Sequence, residues 1–287
     1  MTAAIYPDYA TQEWIVRSTR TDTVSTASTH MVGSRLGNLL APEVQAPPTA
    51  LPTSSLRLQR LTLVRRGLLL LDGLDLNLEP GQTLAVMGRS GAGKTTLLRT
   101  IAGLAPANGG SVARPSGRVP TVFQEPRLLP WRTAMQNVQL VLAKQHQARA
   151  AEWLGRVGLA DAMHAYPLTL SGGMRQRVSI ARALACEEPL LLVDEPFSHL
   201  DVVTARQLRQ ELTRQVATTG CATVWVTHDP AEAAEVAGRT LVMAGPPHGA
   251  WKLIEHQRGV SPELLARHLA EELACTEHHV PATVTGS

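Results

Sequence analysis

Eight residues constrain this chain more than any others. Gly88-Arg89-Ser90-Gly91-Ala92-Gly93-Lys94-Thr95 fit the pattern G-x-x-x-x-G-K-[ST] at every fixed position. By composition alone those four fixed positions match somewhere in a chain of this length with a chance of roughly 1%. The run before them, Thr83-Leu84-Ala85-Val86-Met87, is apolar and partly β-branched, as a buried strand should be. The run after them, Thr96-Leu97-Leu98-Arg99-Thr100-Ile101-Ala102, carries apolar residues at helical spacing. A strand, a glycine loop and a helix in that order let the backbone come close to a ligand. Consecutive N–H groups then form a nest for anions at the positive end of a helix. Lys94 supplies a mobile cation for outer phosphates, and the Thr95 hydroxyl can ligate Mg²⁺.

The 287 residues suffice for one or two domains with a sizeable core, and 44% hydrophobic with 18% charged residues is an ordinary globular balance. A net charge of +3 is too weak to argue for nucleic acid as a partner. Cys186, Cys221 and Cys275 have no metal-ligand spacing and fit a reduced, cytosolic protein. No apolar run approaches the length of about 18 residues that a spanning helix needs, so membrane association is expected to go through a partner.

Residues 1 to 55, rich in Thr, Ser, Ala and Pro, read as a flexible leader, with Tyr6, Tyr9, Trp14, Ile15 and Val16 as a small apolar cluster. Alternation across Leu56–Leu63 predicts a half-buried strand, and Leu68–Leu71 and Leu74–Leu78 read as the second and third strands of an antiparallel β layer. Pro106-Ala107-Asn108-Gly109-Gly110 reads as a turn, and Val119–Phe123 as a short strand ending at Gln124. From about Pro126 to Leu168 the apolar residues change to helical spacing, the mark of a small helical insertion. Ser171-Gly172-Gly173 opens a further helix through Val178–Ala185 and offers a second anion-binding N-terminus. Pro189-Leu190-Leu191-Leu192-Val193-Asp194-Glu195-Pro196 is an all-apolar run closed by two carboxylates, as in a buried parallel strand with its ligand site at the C-terminal end. Ala222–Thr227 is a similar strand ending at His228, and Thr240–Met243 reads as the last one. Helices are expected at Thr204–Val216, Pro230–Ala237 and Glu263–Ala274.

Taken in order, the glycine loop, Gln124, Leu170-Ser171-Gly172-Gly173, Leu191–Glu195, Ser198-His199-Leu200-Asp201 and His228 resemble the nucleotide-binding subunit of an ABC transporter. The resemblance covers roughly residues 56 to 245. It implies an α/β fold: a P-loop NTPase core with a mostly parallel sheet, an antiparallel β layer and a small helical subdomain. The implied layout is a leader over 1–55, a nucleotide-binding domain over 56–260 with its helical part at about 126–185, and a C-terminal helix and tail over 261–287.

The roles it implies are specific to positions. Residues Gly88 to Thr96 hold ATP. Asp194, Thr95 and Gln124 serve Mg²⁺, Gln124 also coupling the water and the ion to the helical part. Glu195 is the general base, and His228 contacts the γ-phosphate. Ser171, Gly172, Gly173 and Asp201 act across a homodimer on the partner's nucleotide.

Two positions depart from the family pattern. Val64-Arg65-Arg66-Gly67 holds no aromatic where one usually stacks on adenine, so Arg65 or Arg66 is expected to lie on the purine face. His199 stands where a small residue is usual.

One nucleotide-binding unit, no spanning segment and a short helical insertion favour an importer whose permease is a separate chain, peripheral on the inner face of the plasma membrane and served by a solute-binding protein. Gln124–Thr133 and Leu241–Pro247 resemble the corresponding segments of nitrate, taurine and alkanesulfonate importers. The same stretch offers Leu128, Leu129 and Trp131 as exposed anchors for a permease helix. The alternative readings are a non-transport ATP-dependent clamp and a repair-type ATPase.

Overall fold

In the computed structural model the residues described are 16–18, 55–198, 200–257 and 259–278. Strands β1 (Val16–Ser18), β4 (Thr83–Gly88), β6 (Thr121–Val122), β7 (Leu190–Asp194), β8 (Ala222–Val226), β9 (Arg239–Gly245) and β10 (Ala250–Glu255) form one sheet in the order β1-β10-β9-β4-β8-β7-β6. From β9 to β6 neighbouring strands are parallel, and β10 and β1 add to the edge in antiparallel sense. A second, antiparallel sheet runs β3-β2-β5, built of β2 (Leu56–Arg65), β3 (Leu68–Leu78) and β5 (Gly109–Ala113).

The parallel strands read as unbroken apolar runs because both of their faces are covered. Alternate residues of one strand serve different cores. Leu84 and Val86 of β4 join Leu56–Leu78 of the antiparallel layer and helix α1 (Lys94–Ile101), while Ala85 and Met87 face Ala233, Leu265 and Leu269. Those last three lie on α6 (Pro230–Val236) and α7 (Pro262–His278). A third cluster joins Leu191, Val193 and Trp225 to helices α2 (Ala134–Gln139), α3 (Arg149–Arg156), α4 (Gly172–Leu184) and α5 (Val202–Thr219). The helical region and the sheet therefore share that core.

Several expectations change in detail. Leu68–Leu71 and Leu74–Leu78 are one continuous strand. Gly109-Gly110, read as part of a turn, begins β5, and β10 follows the strand expected to be last. The leader expectation lies outside the described residues except at 16–18, which pair with Lys252–Ile254. Among the described residues no helix is long and apolar enough to cross a membrane.

Candidate active site

The loops after β4, β7 and β8 leave the same edge of the parallel sheet, its C-terminal edge, where open α/β folds place ligands. Gly93 sits at φ +102, and a Cβ there would lie 2.9 Å from Leu70 Cβ. Glycine is thus needed twice, for the left-handed turn and for the close approach of the loop to β3. The loop opens onto a cavity of about 490 Å³ lined by Ser90–Thr96, Glu195, Arg65 and Arg66 among others. A phosphate chain in that cavity would meet the N–H groups at the start of α1.

Lys94 curls back over the loop. Its Nζ donates to the Gly88 carbonyl at 2.8 Å and to the Arg89 carbonyl at 3.3 Å, and it lies 3.6 Å from Glu195 Oε1. Arg89 turns its own side chain outward onto the Pro246 carbonyl at 2.8 Å. Glu195 stands just past the end of β7 at φ 43, a left-handed conformation rare for a residue with a Cβ. Its N–H donates to the Val226 carbonyl at 3.1 Å, which holds it between strands. The second carboxylate oxygen, Oε2, is 3.1 Å from His228 Nδ1. Glu195 thus stands between Lys94 and His228, one carboxylate oxygen toward each.

Asp194 is half-buried at the end of β7 and shares a second cavity, of about 310 Å³, with Thr95. Burial, and secondarily the Glu195 charge, push its carboxyl above the usual range, while Lys94 and Arg127 pull it down. A hydroxyl and a carboxylate bordering one space are the hard oxygen donors that Mg²⁺ takes when phosphate and water complete its shell. The residues present therefore fit that ion.

The other expected site residues fall elsewhere. Gln124 is exposed and does not border the cavity shared by Thr95 and Asp194, whereas its neighbours Phe123 and Arg127 do. Ser171, Gly172 and Gly173 open α4, where the Ser171 hydroxyl accepts from Met174 N–H at 3.2 Å. Asp201 caps α5 by accepting from Thr204 N–H at 3.0 Å, the contact that chiefly draws its carboxyl below the usual range. Neither group lines the loop cavity of its own chain. His199 lies outside the described residues.

Of the expected anchors, Trp131 is 69% exposed, but Leu128 and Leu129 are half-buried and Leu128 packs against the helical core. The cause is a set of clamps that sequence reading missed. Buried Asn137 holds the backbone at Leu129, Arg132 and Thr133. From α4, Gln176 donates to the Phe123 carbonyl at 3.2 Å, and Arg182 to those of Pro126 and Arg127 at 2.8 and 2.9 Å. Arg127 in turn lies 4.1 Å from the Phe123 ring centre. The only sequence signal for these clamps was polar residues at otherwise apolar helix positions.

A glycine loop at a helix N-terminus, facing two acids at the end of a nearby parallel strand, defines a P-loop nucleotide-binding protein. Residues 71–198 match the family model described as ABC transporter. The chain is 48% identical over 187 residues to aliphatic sulfonates import ATP-binding protein SsuB 1 of Pseudomonas fluorescens, covering 65% of this chain and 72% of that protein. It is 50% identical over 174 residues to SsuB 2 of Frankia alni, covering 60% and 70%. This chain belongs to the ABC transporter family of ATP-binding proteins, and it is an ATPase.

Among solved structures it resembles a chain of a metal-chelate type ABC transporter in an inward-facing conformation, with TM-score 0.64, 25% identity and 75% and 89% of the two chains covered. It also shares the fold of cbiO1 from Clostridium perfringens, with TM-score 0.64, 22% identity and 77% and 93% covered. The family match ends at Ser198, so Asp201 and His228 lie beyond it.

Proposed function

We propose that this chain powers the import of aliphatic sulfonates, or of a similar small anion such as nitrate or taurine, by hydrolysing ATP at the inner face of a membrane. The observation that carries the reading is Glu195 at the loop cavity, with Lys94 by one carboxylate oxygen and His228 by the other. The sulfonate assignment is supported by the names of the relatives, since an ATPase subunit does not touch the solute. Those names do not favour a clamp or repair role. The working unit in this reading spans about 56–260, with its helical part at about 126–185.

In the mechanism, the loop amides and Lys94 bind the phosphates of ATP. Thr95 and Asp194, with Gln124 as the third expected ligand, would hold Mg²⁺, which would supply charge neutralisation for the phosphates. Glu195 accepts a proton from the attacking water as its oxygen bonds to the γ-phosphorus and the bond to the β–γ bridging oxygen breaks. His228 donates to the γ-phosphate. Two copies bind head to tail, so that Ser171, Gly172, Gly173 and Asp201 of each complete the partner's site, which accounts for their separation from their own loop. ATP favours the closed pair because it is contacted from both sides, and hydrolysis removes that preference. Trp131 and the clamped Gln124–Thr133 loop seat a cytoplasmic helix of the permease, which a solute-binding protein loads from outside.

Lys94→Ala removes a charged donor to the phosphates and frees the Gly88 and Arg89 carbonyls. ATP affinity is expected to fall about 10- to 100-fold by equilibrium binding; unchanged affinity would reject the loop as the phosphate site. Arg65 and Arg66 border the same cavity, with Arg65 NH1 3.4 Å from Thr96 Oγ1. Replacing both with Ala should weaken ATP about tenfold while affecting inorganic triphosphate much less, as loss of a stacking cation requires. The importer reading itself is tested by ATP-dependent uptake of a labelled alkanesulfonate in vesicles holding the complex. Uptake that is independent of this chain would overturn it.

A further inference from the structure

Glu232 is a buried carboxylate with no role in the mechanism above. It sits at the third position of α6, behind the N-cap Asp229, where a glutamate ordinarily reaches back to the N-cap backbone. Here it does not. Only 8% exposed, its Oε1 accepts from Trp225 Nε1 at 3.0 Å and its Oε2 from the Thr227 hydroxyl at 2.6 Å. Thr227 Oγ1 accepts in its turn from Asp229 N–H at 3.1 Å. The chain of bonds therefore grips the backbone on both sides of His228 and passes it by.

The gap is informative. The His228 side chain is 64% exposed, so packing does not fix its ring. Its distance to Glu195 has to be set by the backbone that carries it. Trp225, the other end of the network, packs against Phe197 with ring centres 6.0 Å apart, and Phe197 is two residues beyond Glu195. Glu195, Phe197, Thr227, His228 and Glu232 also border one cavity of about 330 Å³.

Burial raises the Glu232 carboxyl above its usual range, against the pull of its two donors and of Arg209. A buried carboxylate is costly unless its oxygens are satisfied, and a cap alone requires no such burial. We propose that Glu232, acting through Thr227, is a positioning residue that sets His228 against Glu195, with Trp225 and Phe197 tying both segments together.

The proposal rests on the catalytic reading of His228, and its test separates the two. His228→Ala is measured first: if turnover stays at the parental rate, it is the catalytic reading that fails. With that loss established, Thr227→Val, which keeps the shape and removes both hydroxyl bonds, should lower kcat about tenfold and leave the ATP dissociation constant within about twofold. Thr227→Ser should restore turnover. Made in the His228→Ala background, Thr227→Val should change kcat by less than about twofold, because the residues act as a unit. Glu232→Gln should show the same dependence on background, and Thr227→Val carries the test if that variant does not fold. Equal loss with and without His228, or parental turnover in Thr227→Val, would overturn the proposal.

Discussion

Glu195→Gln is expected to lower steady-state ATP hydrolysis by about 10²- to 10⁴-fold while leaving ATP affinity within a few-fold of the parent. The substitution keeps the shape of the side chain and removes only its charge and basicity. One oxygen faces Lys94 at 3.6 Å and the other faces His228 Nδ1 at 3.1 Å, so an amide can occupy the same place. What is lost is a proton acceptor placed where the attacking water must give up its proton. Affinity has no reason to fall, since a negative charge has been taken away from the neighbourhood of bound phosphates. Asp194 also gains, because the Glu195 charge is the second largest cause of its raised carboxyl. With hydrolysis blocked, the variant with ATP should accumulate as a dimer on size exclusion. Turnover within tenfold of the parent would show that Glu195 is not the base.

What sequence reading captured follows from how local the signals were. The loop from Gly88 to Thr95 carries its pattern in eight consecutive residues, and the runs leading to Asp194-Glu195 and His228 are short, continuous and buried, so local sequence marks all three. What it missed was set by distant parts of the chain. Gly109-Gly110 carries every local mark of a turn, yet a Cβ on Gly110 would stand 2.2 Å from the Gln59 carbonyl oxygen. Those glycines allow close strand contact with β2, which spacing cannot reveal. Glu232 looks like half of a capping box until Trp225 and Thr227 are seen behind it. Asp201 shows the converse, a residue expected to act on a partner that already has a local task as the cap of α5. Its carboxylate can serve both needs only if the second contact leaves the Thr204 bond intact.

Trp153→Ala should destabilise the protein by about 3–5 kcal/mol, read as a lower urea midpoint. Trp153 is 1% exposed at the centre of the helical core, in one cluster with Ala134, Val138, Leu154, Leu170 and Val178. Arg156 covers its ring at 4.5 Å from the ring centre. Among the described residues its Nε1 has no hydrogen-bond partner, so the residue stabilises chiefly through volume. Trp153→Phe separates the two: it gives up some volume but also removes a buried unpaired donor, and should cost about 1 kcal/mol or less. The damage should also be uneven. The P-loop and the antiparallel layer belong to a different cluster, so ATP binding should survive at concentrations of denaturant where α3 and α4 already exchange their amides. Hydrolysis should not survive there, because α4 carries Ser171-Gly172-Gly173 at one end and the Gln176 and Arg182 clamps on the Gln124 loop along its length. A single transition that removes binding and turnover together would show that the helical region and the loop unfold as one unit.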